Sequence, residues 1–227
     1  MAAIHGGVHQ VPAIAGHASS IRAAVIRATA ADGQSRTMRT GATLALIALL
    51  TACRTQPAAA PGTLGPQETF WAALQSICGN SYAGRIVEGN ASDSAFRTSA
   101  LRMHVRTCSP GEIRIPFHLG ENRSRTWVLT RTATGLRLKH DHRHEDGSED
   151  PVTQYGGDTR DSGTATKQDF HADAHTATLI PAARTNVWTV EIIPGNRFAY
   201  ALRREGTDRR FRVEFDLTNP ITAPPPP

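Results

Sequence analysis

Five histidines in the second half of the chain are the residues best suited to chemistry. His140, His142 and His144 alternate along one segment, and His171 and His175 follow at a distance. Alternate residues of a strand face the same side, so the first three would share one face. Neutral imidazole is a common ligand of zinc and other transition metals, so the pattern predicts a possible metal site.

The spacing of the cluster limits that site. A strand rises by about 3.3 Å per residue, which would separate His140 from His144 by about 13 Å. At most two of the three could bind one ion, with His171, His175 or an acidic side chain completing the set. The main alternative is a hydrogen-bonded polar hairpin end, and acid–base catalysis by histidine is a further one. The cluster therefore identifies no catalytic residue, and a metal-dependent enzyme using it is the alternative function.

Two of the three cysteines can form a disulfide if the protein is exported to an oxidising compartment. The chain has three, of which Cys78 and Cys108 lie 30 residues apart and outside any CxxC pattern. A chain with paired cysteines in such a compartment is expected to form a disulfide. We therefore predict a structural Cys78–Cys108 bond, with two free buried thiols as the alternative.

The third cysteine ends the one strongly apolar run of the chain. Residues 42–52 are too short to span a bilayer, which needs about twenty residues, but they suit a signal peptide whose positive charge is Arg39. The run ends in Leu50-Thr51-Ala52-Cys53, which resembles the lipobox of bacterial lipoproteins. The alternative is a buried apolar helix that ends in an ordinary cysteine.

The lipobox resemblance implies a location and a membrane partner. In that family the thiol, here of Cys53, accepts diacylglycerol, and the attached chains hold the protein at a membrane. We therefore expect a lipid-anchored protein of the bacterial cell envelope that faces the periplasm, in either membrane. Residues 38–52 are then the signal peptide and residues 53–65 a flexible tether. We interpret Met38 as the true start, so that residues 1–37 are an over-long gene model or an extended leader.

Beyond the tether, the apolar pattern predicts a β-rich domain over residues 66–218. One short helix spans Pro66 to Ile77, and apolar residues then alternate with polar ones between turn signals. Residues 157–167 are polar and predict a long loop, and the proline-rich residues 219–227 a disordered tail. The predicted strands lie near 82–89, 99–107, 112–119, 124–131 and 135–144, one or two within 152–180, then 186–193, 197–204 and 209–217.

A meander of eight to ten short strands must hide its edges. We therefore predict an antiparallel up-and-down barrel of the lipocalin or fatty-acid-binding kind, with a two-sheet β-sandwich as the alternative. From Cys53 onward, 21 basic and 19 acidic residues leave a formal charge of only +2, which argues against a nucleic-acid partner. The leading function is a non-catalytic binding module for a small ligand or an envelope protein.

Three stretches resemble a group of small uncharacterised exported proteins of proteobacteria. They cover residues 125–131, 136–147 and 211–217, and the resemblance extends over roughly residues 70–217. No activity is established for that group, so the resemblance implies an exported protein and adds no catalytic residue or cofactor.

The anchor is tested by Cys53→Ser, which removes the only thiol that can be lipidated at this site and leaves the apolar run intact. We expect loss of acyl labelling and accumulation of the uncleaved precursor in cells fed a labelled fatty acid. A wild type that takes up no label, or a variant processed like the wild type, would show that the Leu50–Cys53 sequence is a coincidence.

Overall fold

The computed structural model describes residues 64–227. The predictions on residues 1–37, on the signal peptide, on Cys53 and on all but the last two residues of the tether lie outside the described residues.

Residues 64–227 form eleven strands and three short α-helices. The helices are α1 (Pro66–Ser76), α2 (Ser94–Thr98) and α3 (Ala174–Leu179), with single 3-10 turns at Ala91–Asp93 and Pro181–Ala183. The strands are β1 (Ser81–Gly89), β2 (Leu101–His104), β3 (Thr107–Cys108), β4 (Glu112–Leu119), β5 (Asn122–Thr132), β6 (Gly135–His142), β7 (Tyr155–Asp158), β8 (Lys167–Ala172), β9 (Asn186–Ile193), β10 (Arg197–Arg204) and β11 (Arg210–Ile221).

Ten of these strands close into one antiparallel barrel. Strands β4 to β11 follow one another as neighbours, β11 pairs with β1, β1 with β2, and β2 with β4. The two-residue strand β3 pairs with β4 beside this ring. Closure satisfies the backbone hydrogen bonds that an open sheet would leave at its edges. The predicted up-and-down barrel is therefore confirmed, and the alternative β-sandwich is wrong.

The alternating pattern works because alternate residues point into the barrel. On β11, Phe211, Val213, Phe215 and Leu217 are buried, whereas the residues between them are more exposed. Gly84 makes room for the neighbouring ring, since a Cβ there would lie 2.5 Å from Phe215. The interior is therefore largely filled by apolar side chains, as expected for a small barrel.

Helix α1 closes one end of the barrel. Phe70, Trp71 and Leu74 on its inner face are completely buried. At the same end Arg131 forms a two-point ion pair with Glu68 and lies over the Trp71 ring at 4.9 Å. The ion pair lowers the pKa of Glu68, chiefly through the hydrogen bond from Arg131. Apolar burial and a bidentate contact together hold the helix in place as a plug.

Helices α2 and α3 lie at the opposite end, which we call the mouth. The α2 segment connects β1 to β2, and α3 connects β8 to β9. Both are too short for hydrophobic periodicity to reveal and were absent from our prediction. Helix α3 depends on capping, because the Asp173 carboxylate accepts from the Thr176 N–H at 2.8 Å. Before α2, the Asp93 carboxylate accepts from the Asn90 N–H at 2.8 Å and holds the preceding 3-10 turn.

Four predicted boundaries need correction. The strand predicted at 99–107 is two separate strands, β2 and β3. The polar loop is shorter than expected, because β7 continues to Asp158 and β8 begins at Lys167, which leaves residues 159–166 between them. Strand β6 ends at His142, so His144 lies beyond it. Strand β11 continues to Ile221, because its last residues pair with Ser81 and Tyr82.

The predicted disulfide is present. Cys78, just after α1, is bonded to Cys108 in β3. It therefore links the helical plug to the strand that borders the ring at β4. Among the helices of residues 64–227, none is long and apolar enough to cross a bilayer.

The double substitution C78S/C108S removes this bond. It should lower the free energy of unfolding by about 3 kcal/mol, because the bond restricts a loop of about 30 residues in the unfolded chain. Urea unfolding of the oxidised wild type and of the double variant measures the difference. Equal midpoints would contradict a stabilising role for the bond.

Candidate functional site

A cavity of about 280 Å³ lies at the mouth of the barrel. Its walls come from strands β4 to β7 and β9 to β11, from the helical segment that includes Asp93 and Phe96, and from Ile180 and Ala183 after α3. Seven aromatic side chains line it: Phe96, Phe117, Trp127, Tyr155, Trp188, Tyr200 and Phe211. The cavity is near the lower size limit of small-molecule sites and has their mainly apolar character.

Trp127 forms the floor of this cavity. Its ring stacks against Phe117 at 4.7 Å and against Tyr200 at 4.5 Å between ring centroids, with only 3% of the residue exposed. Phe198 and Phe215 pack near it at 6.0 and 6.2 Å. These contacts hold the indole in one orientation, so the floor is rigid and flat.

His140 forms part of the side wall. It lies two residues from Leu138 on the inner face of β6 and is 3% exposed. Its Nδ1 lies 3.0 Å from the Tyr155 carbonyl oxygen, which can only accept, so Nδ1 carries the proton. Its Nε2 lies 2.7 Å from the Tyr200 hydroxyl and therefore accepts a hydrogen bond from it. Burial lowers the pKa of His140 to about 3 and raises that of Tyr200 well above its usual value.

His142 and Tyr155 form a second pair nearer the rim. The Tyr155 hydroxyl lies 3.1 Å from His142 Nε2, and the Tyr155 ring stacks on His140 at 4.4 Å. Burial, and then the nearby Arg125 charge, lower the pKa of His142 to about 4. Burial raises the pKa of Tyr155 to about 12. Both pairs are therefore neutral near pH 7, and neither tyrosine is activated as a nucleophile.

An unusual backbone positions Tyr155. Gln154, the residue before it, has a φ of +57°, the only positive φ at a non-glycine residue between 64 and 227. Gly156 follows at +151°, where a Cβ would lie 2.0 Å from the Leu138 carbonyl oxygen. Thr176 of α3 then clamps Gly156 with hydrogen bonds of 2.7 Å to both its N–H and its carbonyl. Backbone strain of this kind is common where a side chain must be aimed at a ligand.

The rim of the cavity carries an excess of positive charge. Arg209 forms a two-point ion pair with Asp93, the only carboxylate among the described lining residues. Arg125 instead donates to the neutral Asn122 side chain at 2.9 Å, and Arg204 to Asn186 at 2.9 Å. Within residues 64–227, neither Arg125 nor Arg204 has a carboxylate within 4.0 Å.

The predicted histidine cluster is only partly assembled. His140 and His142 share the inner face of β6, as expected, and both line the cavity. His144 is exposed beyond the end of β6, His175 is exposed on α3, and His171 is a half-buried residue of β8 that does not line the cavity. In the described part of the chain, no three His, Cys, Asp or Glu side chains are arranged to hold a metal ion.

The hairpin end after β6 is a polar network, as the alternative interpretation expected. Arg143 contacts Asp141 at 3.1 Å and Glu149 at 3.3 Å, and its side chain donates to the Gly147 carbonyl at 3.0 Å. Asp141 also receives a contact from Arg114 at 3.2 Å. Arg143 and Arg114 thus offset the charges of Asp141 and Glu149 at this hairpin end.

Most residues of the cavity were missed by sequence reasoning. Arg125, Tyr155, Trp188 and Tyr200 come from four different strands, and closure alone brings them together. A signal existed for Arg125: it has the same parity as Trp127 and Leu129, so it belongs to the inner face of β5 although it is charged. An inward arginine at the end of a strand indicates a site at the barrel mouth.

The fold and the cavity together define a class of protein: a closed antiparallel barrel with an aromatic-walled site at one end, of the same architecture as lipocalins and fatty-acid-binding proteins. No protein-family model, curated protein or solved structure matches this chain. Its function must therefore be argued from the cavity itself.

The buried histidine makes stability depend on pH. The unfolded chain takes up a proton at His140 near pH 6.5, whereas the folded chain does so only near pH 3. Below about pH 6 the unfolded state therefore binds the extra proton, and the free energy of unfolding should fall by about 1.4 kcal/mol per pH unit.

The neutral substitution His140→Gln removes this contribution. Urea unfolding between pH 7.5 and 4.5 should show a slope smaller by about 1 kcal/mol per pH unit in the variant than in the wild type. Because the comparison concerns slopes, it holds even if the variant is less stable at every pH. Parallel curves would mean that His140 is not held neutral in the folded protein.

Proposed function

We propose that this protein is a lipid-anchored binding protein of the bacterial cell envelope, which holds a small, flat ligand in the mouth cavity without transforming it. The observation that carries the proposal is a cavity walled by seven aromatic rings in a barrel that is otherwise filled. The anchor rests on the lipobox-like sequence that ends at Cys53.

The filled interior restricts the size of the ligand. Large residues such as Phe170, Phe198 and Phe215 are completely buried, and α1 closes the far end. A long acyl chain would need the space that these side chains occupy. The volume of about 280 Å³ suits a molecule of one or two rings, and the aromatic walls favour a flat apolar group.

The polar groups of the cavity favour binding over catalysis. The His140 and His142 pairs are neutral, and His140 has both ring nitrogens engaged by Tyr155 and Tyr200. A general base that operates near pH 7 needs a pKa near that value, and neither histidine has one. Such groups instead orient a ligand through hydrogen bonds.

The proposal is tested by ligand-induced stabilisation of the purified protein. A panel of one-ring and two-ring aromatic compounds should include members that raise the melting temperature by about 5 °C at 100 times their dissociation constant. Trp127 and Trp188, which line the cavity, should change their fluorescence with the same concentration dependence.

A cavity-filling variant locates the binding. Leu202→Trp places bulk in the cavity, whereas Val87→Trp adds the same bulk at an exposed position outside it. We expect stabilisation to survive in Val87→Trp and to disappear in Leu202→Trp. If no compound binds the wild type, or if both variants bind equally, the mouth cavity is not a ligand site.

A further inference from the structure

Arg125 is a partly buried cation without a counter-ion in the described structure. Its side chain enters the mouth from β5, where Arg125 pairs with Phe117 on one side and His142 on the other. Burial lowers its pKa, yet a guanidinium remains charged at any physiological pH. A charge that is partly removed from water without a partner is unfavourable, and a bound anion would offset that cost.

The carboxylates of the protein near the cavity are already engaged. Asp93 is held by Arg209 and by the Asn90 N–H. Asp150 influences His142 and Tyr155 electrostatically, but its Oδ1 accepts the Val152 N–H at 2.7 Å. Neither lies within 4.0 Å of Arg125, so the space beside this guanidinium is open to an anion from outside.

Tyr155 can supply a second hydrogen bond to that anion. Its hydroxyl lines the cavity and contacts His142 Nε2 at 3.1 Å. The neutral histidine can carry its proton on Nε2 and donate to the tyrosine oxygen, which leaves the Tyr155 O–H free to donate to a ligand. Arg125 pairs with His142 across β5 and β6, and the His142 ring contacts the Tyr155 hydroxyl, which places Arg125 and Tyr155 on the same side of the cavity.

The ring of the ligand is placed by the neighbour of Arg125. Trp127 is two residues further along β5 on the same inner face, so a planar group attached to an anion at Arg125 extends toward the indole and the aromatic rings packed around it. Arg204, the other arginine without a carboxylate, has the aliphatic Leu202 in the equivalent position of β10. The aromatic floor therefore favours Arg125 as the anion anchor.

We propose that the ligand is a flat aromatic carboxylate, with its carboxylate bound by the Arg125 guanidinium and the Tyr155 hydroxyl and its ring held among the aromatic side chains that line the mouth cavity. This inference rests on the proposed function and specifies its ligand. A guanidinium matches the two oxygens of a carboxylate in one plane, and a single such group suits a ligand with one negative charge.

Three nearly isosteric probes separate charge from shape. Benzoate, benzamide and benzamidine have the same outline but carry a negative, zero and positive charge, and 2-naphthoate, 2-naphthamide and 2-naphthamidine form a larger set. Titration calorimetry at pH 7 and physiological ionic strength should give the carboxylate at least tenfold higher affinity than the amide. The amidine should bind more weakly than the amide.

Arg125→Gln should lower the affinity for the carboxylate at least tenfold, to that of the amide, and leave amide binding within twofold of wild type. Unchanged amide binding shows that the cavity is intact. Arg125→Lys should keep the preference for the anion with reduced affinity. The matched control Arg204→Gln, which removes a charge from the opposite wall, should preserve the preference within threefold.

The possible failures are distinguishable. Equal binding of carboxylate and amide to the wild type would overturn this inference and leave the binding function standing. A preference that survives in Arg125→Gln, or is lost only in Arg204→Gln, would overturn the role of Arg125. If none of the six probes, whatever its charge or size, binds the wild type, both the inference and the proposed function fail.

Discussion

Pairing of β11 with β1 is the constraint on which the rest of the structure depends. It joins the last strand of the chain to the first, and with the β2–β4 contact it turns a meander into a closed wall. Closure commits alternate residues of each strand to a confined interior. The volume left there, rather than any single motif, decides where a ligand fits: α1 and large apolar side chains fill one end, and aromatic rings surround the space at the other.

The polar groups of the cavity are neutral near its floor and charged at its rim. Near the floor, the His140–Tyr200 pair satisfies itself with a hydrogen bond of 2.7 Å and stays neutral. Toward the rim, Arg125 and Arg204 keep their charge but contact only neutral amide side chains among the described residues. A cavity whose floor is neutral and hydrogen-bonded and whose rim is charged orients a ligand with its polar end outward and its apolar part inward.

Much of the barrel could be predicted from the sequence because strand periodicity is a strong local signal. Strands β4, β9 and β10 have the predicted boundaries, since glycine-containing turns adjoin them and most of their alternate apolar residues are buried. The limits at His144 and at residue 217 were wrong, because strand ends depend on which neighbour continues to pair. Helices α2 and α3 were missed because five or six residues carry no periodicity, and the Asp173 cap of α3 is recognisable only in the folded structure. The cavity was missed for a related reason: residues from seven strands meet there, and only ring closure determines which ends of those strands coincide.

The position of α1 also determines how the molecule would face its surroundings. The chain enters the barrel at the plugged end, where α1 is fastened by the Glu68–Arg131 ion pair and the Cys78–Cys108 bond. If Cys53 carries the proposed lipid, the predicted tether joins the barrel at this closed base, and the attachment leaves the mouth uncovered. Ligand would then exchange between the mouth and the aqueous periplasm, away from the point of attachment. A water-soluble acid of low molecular mass is suited to that route, whereas a membrane-dissolved lipid is not.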